Sequence, residues 1–176
     1  MPCVVADTSP LFYLAHPDRL GLLREFYRQV NVPESVWSEA LAGGRRYPAT
    51  LPRLEEARMA GWIFIHPPSV QSNTEPALIG LDEGERQALS LALKLGADTV
   101  LIDEKRGRRA ALSLGLISTG TAGILIEAKR RGLLFSVPPE LRRLREETTF
   151  WIHLDDEIRA LAVVGETPDS HPDFST

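Results

Sequence analysis

Short apolar runs at residues 3–6, 30–32, 99–102 and 116–118 alternate along the chain with stretches of helical spacing. Neighbouring parallel strands must be joined by crossovers of about a dozen residues or more, usually a helix, so this alternation restricts the chain to an α/β fold with a parallel sheet covered on both faces. Helices are predicted where Pro10 precedes Leu11 and Leu14, where Leu20, Leu23, Phe26 and Tyr27 recur, and from Pro33 through Val36, Trp37, Ala40 and Leu41 to a stop at Gly43-Gly44. A helix at 51–60, an edge strand at 62–65 and a Pro/Ser/Asn/Thr-rich loop at 67–80 follow. Asp82 and Glu85 stand three apart ahead of the stripe Ala88, Leu89, Leu91, Ala92 and Leu95, with Gly96 as the stop, which is the pattern of a capping box and a glycine C-terminus. Helices at 108–114, 121–131, 140–147 and 155–164, a strand at 150–153 and a frayed tail at 167–176 complete the reading.

The chain has 176 residues, near the size of one domain, and with 43% hydrophobic and 25% charged residues it buries a sizeable core. Cys3 is the single cysteine, so no intrachain disulfide forms, and a buried thiol in a reducing compartment is expected. The longest uncharged run, 110–126, is broken by glycine, serine and threonine and falls short of a membrane span; a cytoplasmic protein without a membrane partner is expected. Charge is uneven. Residues 101–145 carry 10 of the 20 Lys and Arg, whereas 146–176 carry 8 acids and one base. Arg106, Arg108, Arg109, Lys129, Arg130, Arg131, Arg142, Arg143 and Arg145 could form a phosphate-binding face, or solvated helix faces with cations near helix C-termini.

Two acids end apolar strands, Asp7 after Cys-Val-Val-Ala and Asp103 after Thr-Val-Leu-Ile. In open parallel sheets the ligand crevice lies beyond the carboxyl ends of the strands, so both carboxylates are candidates to face it. Each also has a local reading, Asp7 as a turn or helix cap acting on the Ser9 and Leu11 amides and Asp103 as a cap for the helix after Lys105. Together they repel unless a cation neutralises them. Glu39 flanks the apolar helix face of Val36, Trp37, Ala40 and Leu41, or is a solvated helix acid, and Glu85 is either a cleft acid or the capping-box partner of Asp82. Glu83 and Glu104 are less specific, although Glu104 could hold a second contact. Thr8, Ser9 and Thr121 could bind a phosphate or orient carboxylates, with helix N-capping the competing role for Thr121. His16, His66, His153 and His171 lack the spacing of zinc ligands and are expected at the surface or at helix caps.

The segments Val-Ala-Asp7-Thr8-Ser9-Pro10-Leu11, Val32-Pro33-x-x-Val36-x-x-Glu39, Leu81-Asp82-x-Gly84-Glu85-x-x-Ala88 and Leu101-Ile102-Asp103-Glu104-x-x-Gly107-Arg108 together resemble PIN-domain proteins, in particular the bacterial and archaeal branch related to VapC-type toxins. The runs Gly120-Thr121-x-Gly123-Ile124-Leu125 and Ala128-Lys129-x-x-Gly132-Leu133 resemble the same branch. The resemblance implies a three-layer α/β/α sandwich with a central mainly parallel sheet and a nuclease domain over 1–150; beyond that common core the residues themselves suggest a strand and helix extension packed on it over 151–166 and a flexible tail over 167–176. It further implies that Asp7, Glu39, Glu85 and Asp103 bind one or two Mg²⁺ or Mn²⁺ ions and that the protein hydrolyses RNA phosphodiesters, as the toxin of a pair with a small antitoxin. Many PIN domains carry Asp where this chain has Glu85. Arg106, Arg108 and Arg109, just after Asp103, are placed to guide a polyanion.

The donor chemistry agrees with that implication independently, because a few carboxylates with water and phosphate filling the remaining positions are what Mg²⁺ prefers. A phosphatase using Asp7 as nucleophile is disfavoured by Ser9, which stands where haloacid dehalogenase-like enzymes carry a second Asp. A catalytically silent module that binds RNA or protein is the remaining alternative. A homodimer is implied by the resemblance, with Trp37, Tyr47, Trp62 or the helix around Leu141 as candidate contacts.

Overall fold

A wholly parallel five-stranded sheet organises the chain, where a mainly parallel one was expected. The computed structural model describes residues 2–68 and 75–169. The middle of the 67–80 loop, His171 and most of the 167–176 tail therefore lie outside the described residues. Two compact units divide the chain, Met1–Thr121 and Ala122–Thr176.

In the first unit β1 (Val4–Ala6), α1 (Thr8–Ala15), α2 (Gly21–Tyr27), β2 (Val30–Pro33), α3 (Glu34–Arg46), α4 (Thr50–Met59) and β3 (Ile63–His66) are followed, after a 3₁₀ turn at Pro76–Leu78, by α5 (Glu83–Leu95), β4 (Thr99–Leu101), α6 (Lys105–Ser113) and β5 (Ile117–Thr119). The strand order is β3-β2-β1-β4-β5. From β1 the chain builds outward through β2 and β3, then returns to place β4 on the other side of β1. The topological switch thus falls between β1 and β4, where a crevice opens beyond the strand ends. Every residue of β1 and β2 is buried, as expected of strands covered on both faces. Val5, Val100 and Ile102 pack with Ala88, Leu89 and Ala92 of α5 and with Ala110 and Ala111 of α6. The capping box on α5 is present, and Gly96 closes that helix at φ 60°, ψ 45°, a left-handed conformation that glycine adopts without a Cβ penalty.

One polar side chain sits inside this sheet. Asn31 on β2 donates to the Val4 carbonyl at 3.0 Å and lies 3.7 Å from Cys3 Sγ, while its Oδ1 is 2.8 Å from His66 Nε2 on β3. Its amide is thus satisfied by both neighbouring strands, which makes its burial tolerable.

Several sequence expectations are corrected. Gly43-Gly44 does not stop α3, which runs on to Arg46. A Cβ on Gly44 would stand 2.7 Å from Leu51 Cδ2, so the glycine is there to let α4 approach. Residues 150–153 form no strand: Phe150 is buried with its N–H held by Thr148 Oγ1 at 3.0 Å, and the segment links two helices. Trp37 and Trp62, expected as exposed contact candidates, are buried, whereas Tyr47 is half-buried and the helix around Leu141 keeps exposed positions such as Arg143.

In the second unit lie most of α7 (Thr121–Arg130), α8 (Pro138–Glu147) and α9 (Leu154–Ala162). Arg145 and Glu157 tie α8 to α9 through a buried ion pair at 2.8 Å. Most of the expected basic face is consumed locally: Arg130 and Arg131 pair with Glu127, Arg142 with Asp169, Arg143 with Glu147 and Lys129 with Glu166. No helix among the described residues is long and apolar enough to cross a membrane.

Candidate active site

Asp7 is the first residue beyond β1, and its N–H donates to the Leu101 carbonyl at 2.9 Å, which fixes it at the switch between β1 and β4. It occupies the N-cap position of α1, yet its side chain makes no capping bond to the Ser9 or Leu11 amides and reaches no further than the Thr8 amide, so the capping expected of this acid is not realised. Thr8 instead turns its hydroxyl to Glu39, donating from Oγ1 to Oε2 at 2.8 Å and so orienting the acid that α3 brings to the cleft. Opposite them stands the first turn of α5. A Cβ on Gly84 would lie 3.1 Å from both Asp7 Oδ1 and Glu39 Oε2 and 3.5 Å from Asp82 Oδ1, so three carboxylates border a space that this glycine leaves open.

Glu85 serves the helix and the cleft together. Its N–H donates to Asp82 Oδ1 at 2.8 Å and its Oε2 accepts from the Asp82 N–H at 3.4 Å. Its other oxygen is buried beside Gly107, where a Cβ would stand 2.6 Å away, and forms no well-aligned hydrogen bond there. The capping-box alternative for Glu85 is thus realised, with its other oxygen turned to Gly107.

Crowding of acids out of water sets the electrostatics. The Asp7 carboxyl is pushed up to about 7, first by burial and then by Asp82, Glu85 and Glu39, against the opposing pull of the Thr8 amide. Glu85 is also raised, by burial and then Asp82, with the Asp82 and Gly107 amides partly offsetting and Glu104 adding to the rise. Asp103 is raised by burial; the Thr121 hydroxyl and amide and then Arg108 oppose this, and Glu104 reinforces it.

Asp103 is held by a different partner. Both its oxygens are held by Thr121, Oδ1 by the backbone N–H and Oδ2 by Oγ1, each at 2.7 Å. A Cβ on Gly120 would collide with Oδ1 at 2.4 Å, so the glycine permits this grip. The expected cap on α6 is absent: Glu104 occupies that N-cap, and Asp103 accepts from the start of α7 instead. Thr121 is fully buried with both donors spent on Asp103, so it orients a carboxylate and does not present itself to a phosphate. Ser9 lies half-buried in the first turn of α1. Arg106 bonds the Gly80 carbonyl, whereas Arg108 and Arg109 line a cleft with Lys105. His16 ends α1 and packs edge-on to Tyr47, His153 is the N-cap of α9, and His66, expected at the surface or a cap, is half-buried on β3 against Asn31.

The residue that sequence reasoning missed is Asp82. The capping box explained it fully, and only the fold shows that its Oδ1 also borders the Gly84 space and acts on Asp7. Among the described residues no three His, Cys, Asp or Glu side chains converge tightly enough to form a finished ion cage. The donors are nonetheless all hard oxygens, Asp82, Glu85 and Glu39 add to the rise in the Asp7 pKa, and Asp7, Glu39 and Asp82 border a glycine-cleared space, which fits a divalent cation that keeps part of its water shell.

A parallel α/β sheet with carboxylates gathered beyond its switch point defines an acidic-cleft α/β protein. The chain belongs to the PIN-domain family: the family model described as DUF3368, a PIN domain, matches residues 3–166. PIN domains are generally nucleases. Among solved structures, a PilT N-terminus domain protein from the hyperthermophilic archaeon Sulfolobus solfataricus P2 is similar, with a TM-score of 0.50 and 17% identity over 71% of this chain and 92% of that one, a likeness of fold. No curated protein matches.

Proposed function

We propose that the protein is a Mg²⁺- or Mn²⁺-dependent endoribonuclease that hydrolyses RNA phosphodiesters, acting in the cytoplasm as the toxin of a VapC-like toxin and antitoxin pair and assembling as a homodimer. The observation that carries this reading is the space at Gly84 bordered by Asp7, Glu39 and Asp82, with Glu85 adjoining through its capping box. Asp7, Glu39 and Glu85 would hold the cation, with Asp82 beside them and Asp103 on the neighbouring strand end. A bound Mg²⁺ or Mn²⁺ supplies a Lewis acid that lowers the pKa of a water and steadies a leaving oxygen. Thr8 keeps Glu39 in place, and Thr121 keeps Asp103 in one orientation. Arg108 and Arg109 draw the polyanion toward the strand ends, and Ser9 lies beside the phosphate path.

One observation favours a second reading, a silent PIN-like module that binds RNA or protein: Asp103 has both oxygens committed to Thr121. Incubating a pool of single-stranded and structured RNA with wild type and Asp7→Asn, each in Mg²⁺, Mn²⁺ or EDTA, separates the two. Metal-dependent cutting lost in Asp7→Asn supports the nuclease; RNA binding without cutting in any condition supports the silent module.

A further inference from the structure

Lys105, Arg108 and Arg109 stand at i, i+3 and i+4 on α6, so their side chains share one helix face. That face and the outer strand β5 enclose an open cleft of about 650 Å³, whose lining contains those three cations and no carboxylate. Its remaining wall is apolar, with Leu116 half-buried and Leu112 and Ile117 exposed to 77% and 68%. Leu112, Leu116 and Ile117 line the same cleft, so helix and strand together set a contiguous apolar wall beside three cations. Lys105 opens α6 two residues after Asp103, so this end of the cleft adjoins the acid beyond β4, on which Arg108 also acts electrostatically.

We propose that this cleft is a subsite for one unpaired nucleotide of a single-stranded RNA, with its phosphates on Lys105, Arg108 and Arg109 and its base against Leu112, Leu116 and Ile117. The assignment rests on the ribonuclease reading above and adds where a flanking nucleotide sits and why the strand must be unpaired there: a base held in a duplex cannot turn its face to an aliphatic floor. The three cations on one helix face match successive phosphates, and their continuity with Asp103 favours a strand that runs on toward the acidic cleft over an acidic peptide.

The test uses anisotropy of a labelled oligouridylate of about six nucleotides with the full chain in EDTA, so that binding is read without cleavage. Arg108→Ala/Arg109→Ala is expected to weaken binding about tenfold and to lower the salt slope by about 1.4, the loss of two single-strand phosphate contacts. Leu112→Ser/Ile117→Ser, at exposed positions that leave the core intact, is expected to keep the salt slope and lose the preference for oligouridylate over inorganic polyphosphate of equal charge. An unchanged affinity in the arginine variant, equal competition by polyphosphate against wild type, or stronger displacement by polyglutamate would each overturn the subsite. Cleavage by a protein whose cleft variants bind normally removes the subsite and leaves the nuclease standing; cleft-dependent binding without metal-dependent cleavage does the reverse.

Discussion

Asp7 shows how much one side chain can be asked to tolerate. Its carboxyl is held near 7 because burial and three neighbouring acids disfavour its charge, so above that pH the ionised form costs the folded state energy that the unfolded chain does not incur. Asp7→Asn removes that charge and can still accept from the Thr8 amide. The metal-free variant should therefore be more stable than wild type at pH 8 by about 1–3 kcal/mol, read as a higher midpoint in urea, and the difference should vanish near pH 4. A variant less stable at both pH values would mean that Asp7 is a structural cap. Thr121 predicts the opposite sign. Thr121→Val deletes one of the two donors that hold Asp103, and the cost should be about 1–3 kcal/mol in thermal or urea unfolding, with the Asp103 pKa rising further in a carboxyl titration. Residues of this kind differ in how visible they are in sequence. Asp7 and Asp103 stand out because each ends an apolar run. Asp82 hides because a simpler local role accounts for it, and the pairing of Thr121 with Asp103 spans 18 positions that no periodicity connects.

At the scale of elements, α5 carries the most information. Its capping box, apolar stripe and glycine stop are all local, so its boundaries were readable in advance and Glu83–Leu95 matches them. The elements that depart from the sequence reading have their cause elsewhere in space: Gly43-Gly44 looks like a terminus, yet Gly44 marks a contact with Leu51, and the short apolar run at 150–153 looks like a strand, yet it forms a link between two helices. Gly84, inside the first turn of α5, gives a test that separates helix from cleft. Alanine is the better helix former by about 1 kcal/mol. Its methyl group would nevertheless stand 3.1 Å from Asp7 and Glu39 oxygens. Gly84→Ala should therefore keep or slightly raise thermal stability while Mg²⁺- or Mn²⁺-dependent cleavage falls by about tenfold or more. Full activity in this variant would place the working cation elsewhere.

For the whole molecule the acidic cleft makes stability a function of pH and of divalent ions together. Asp7 and Glu85 both have pKa values raised on folding, so the native state holds protons that the unfolded chain has released. The stability linked to these groups is complete below the unfolded carboxylate range and is lost as pH rises through about 4 to 7, the upper limit being the Asp7 value. Metal-free protein should thus melt at lower temperature at pH 8 than at pH 5.5, and millimolar Mn²⁺ should raise the pH 8 midpoint more than the pH 5.5 one, because a cation competes with protons for the same oxygens. A Mn²⁺ effect independent of pH would point to binding away from the cleft.

Asn31 carries a consequence for how the chain finds this arrangement. β2 reads Val-Asn-Val-Pro, short and largely apolar, and in a parallel sheet such a strand can slip by two residues without exposing a hydrophobic side chain. Slippage would leave the amide of Asn31 buried and unmatched, since its partners Val4 and His66 belong to the strands on either side. One polar side chain therefore acts as an index mark for three strands drawn from distant parts of the chain, excluding misregistered kinetic traps that the apolar pattern alone would admit.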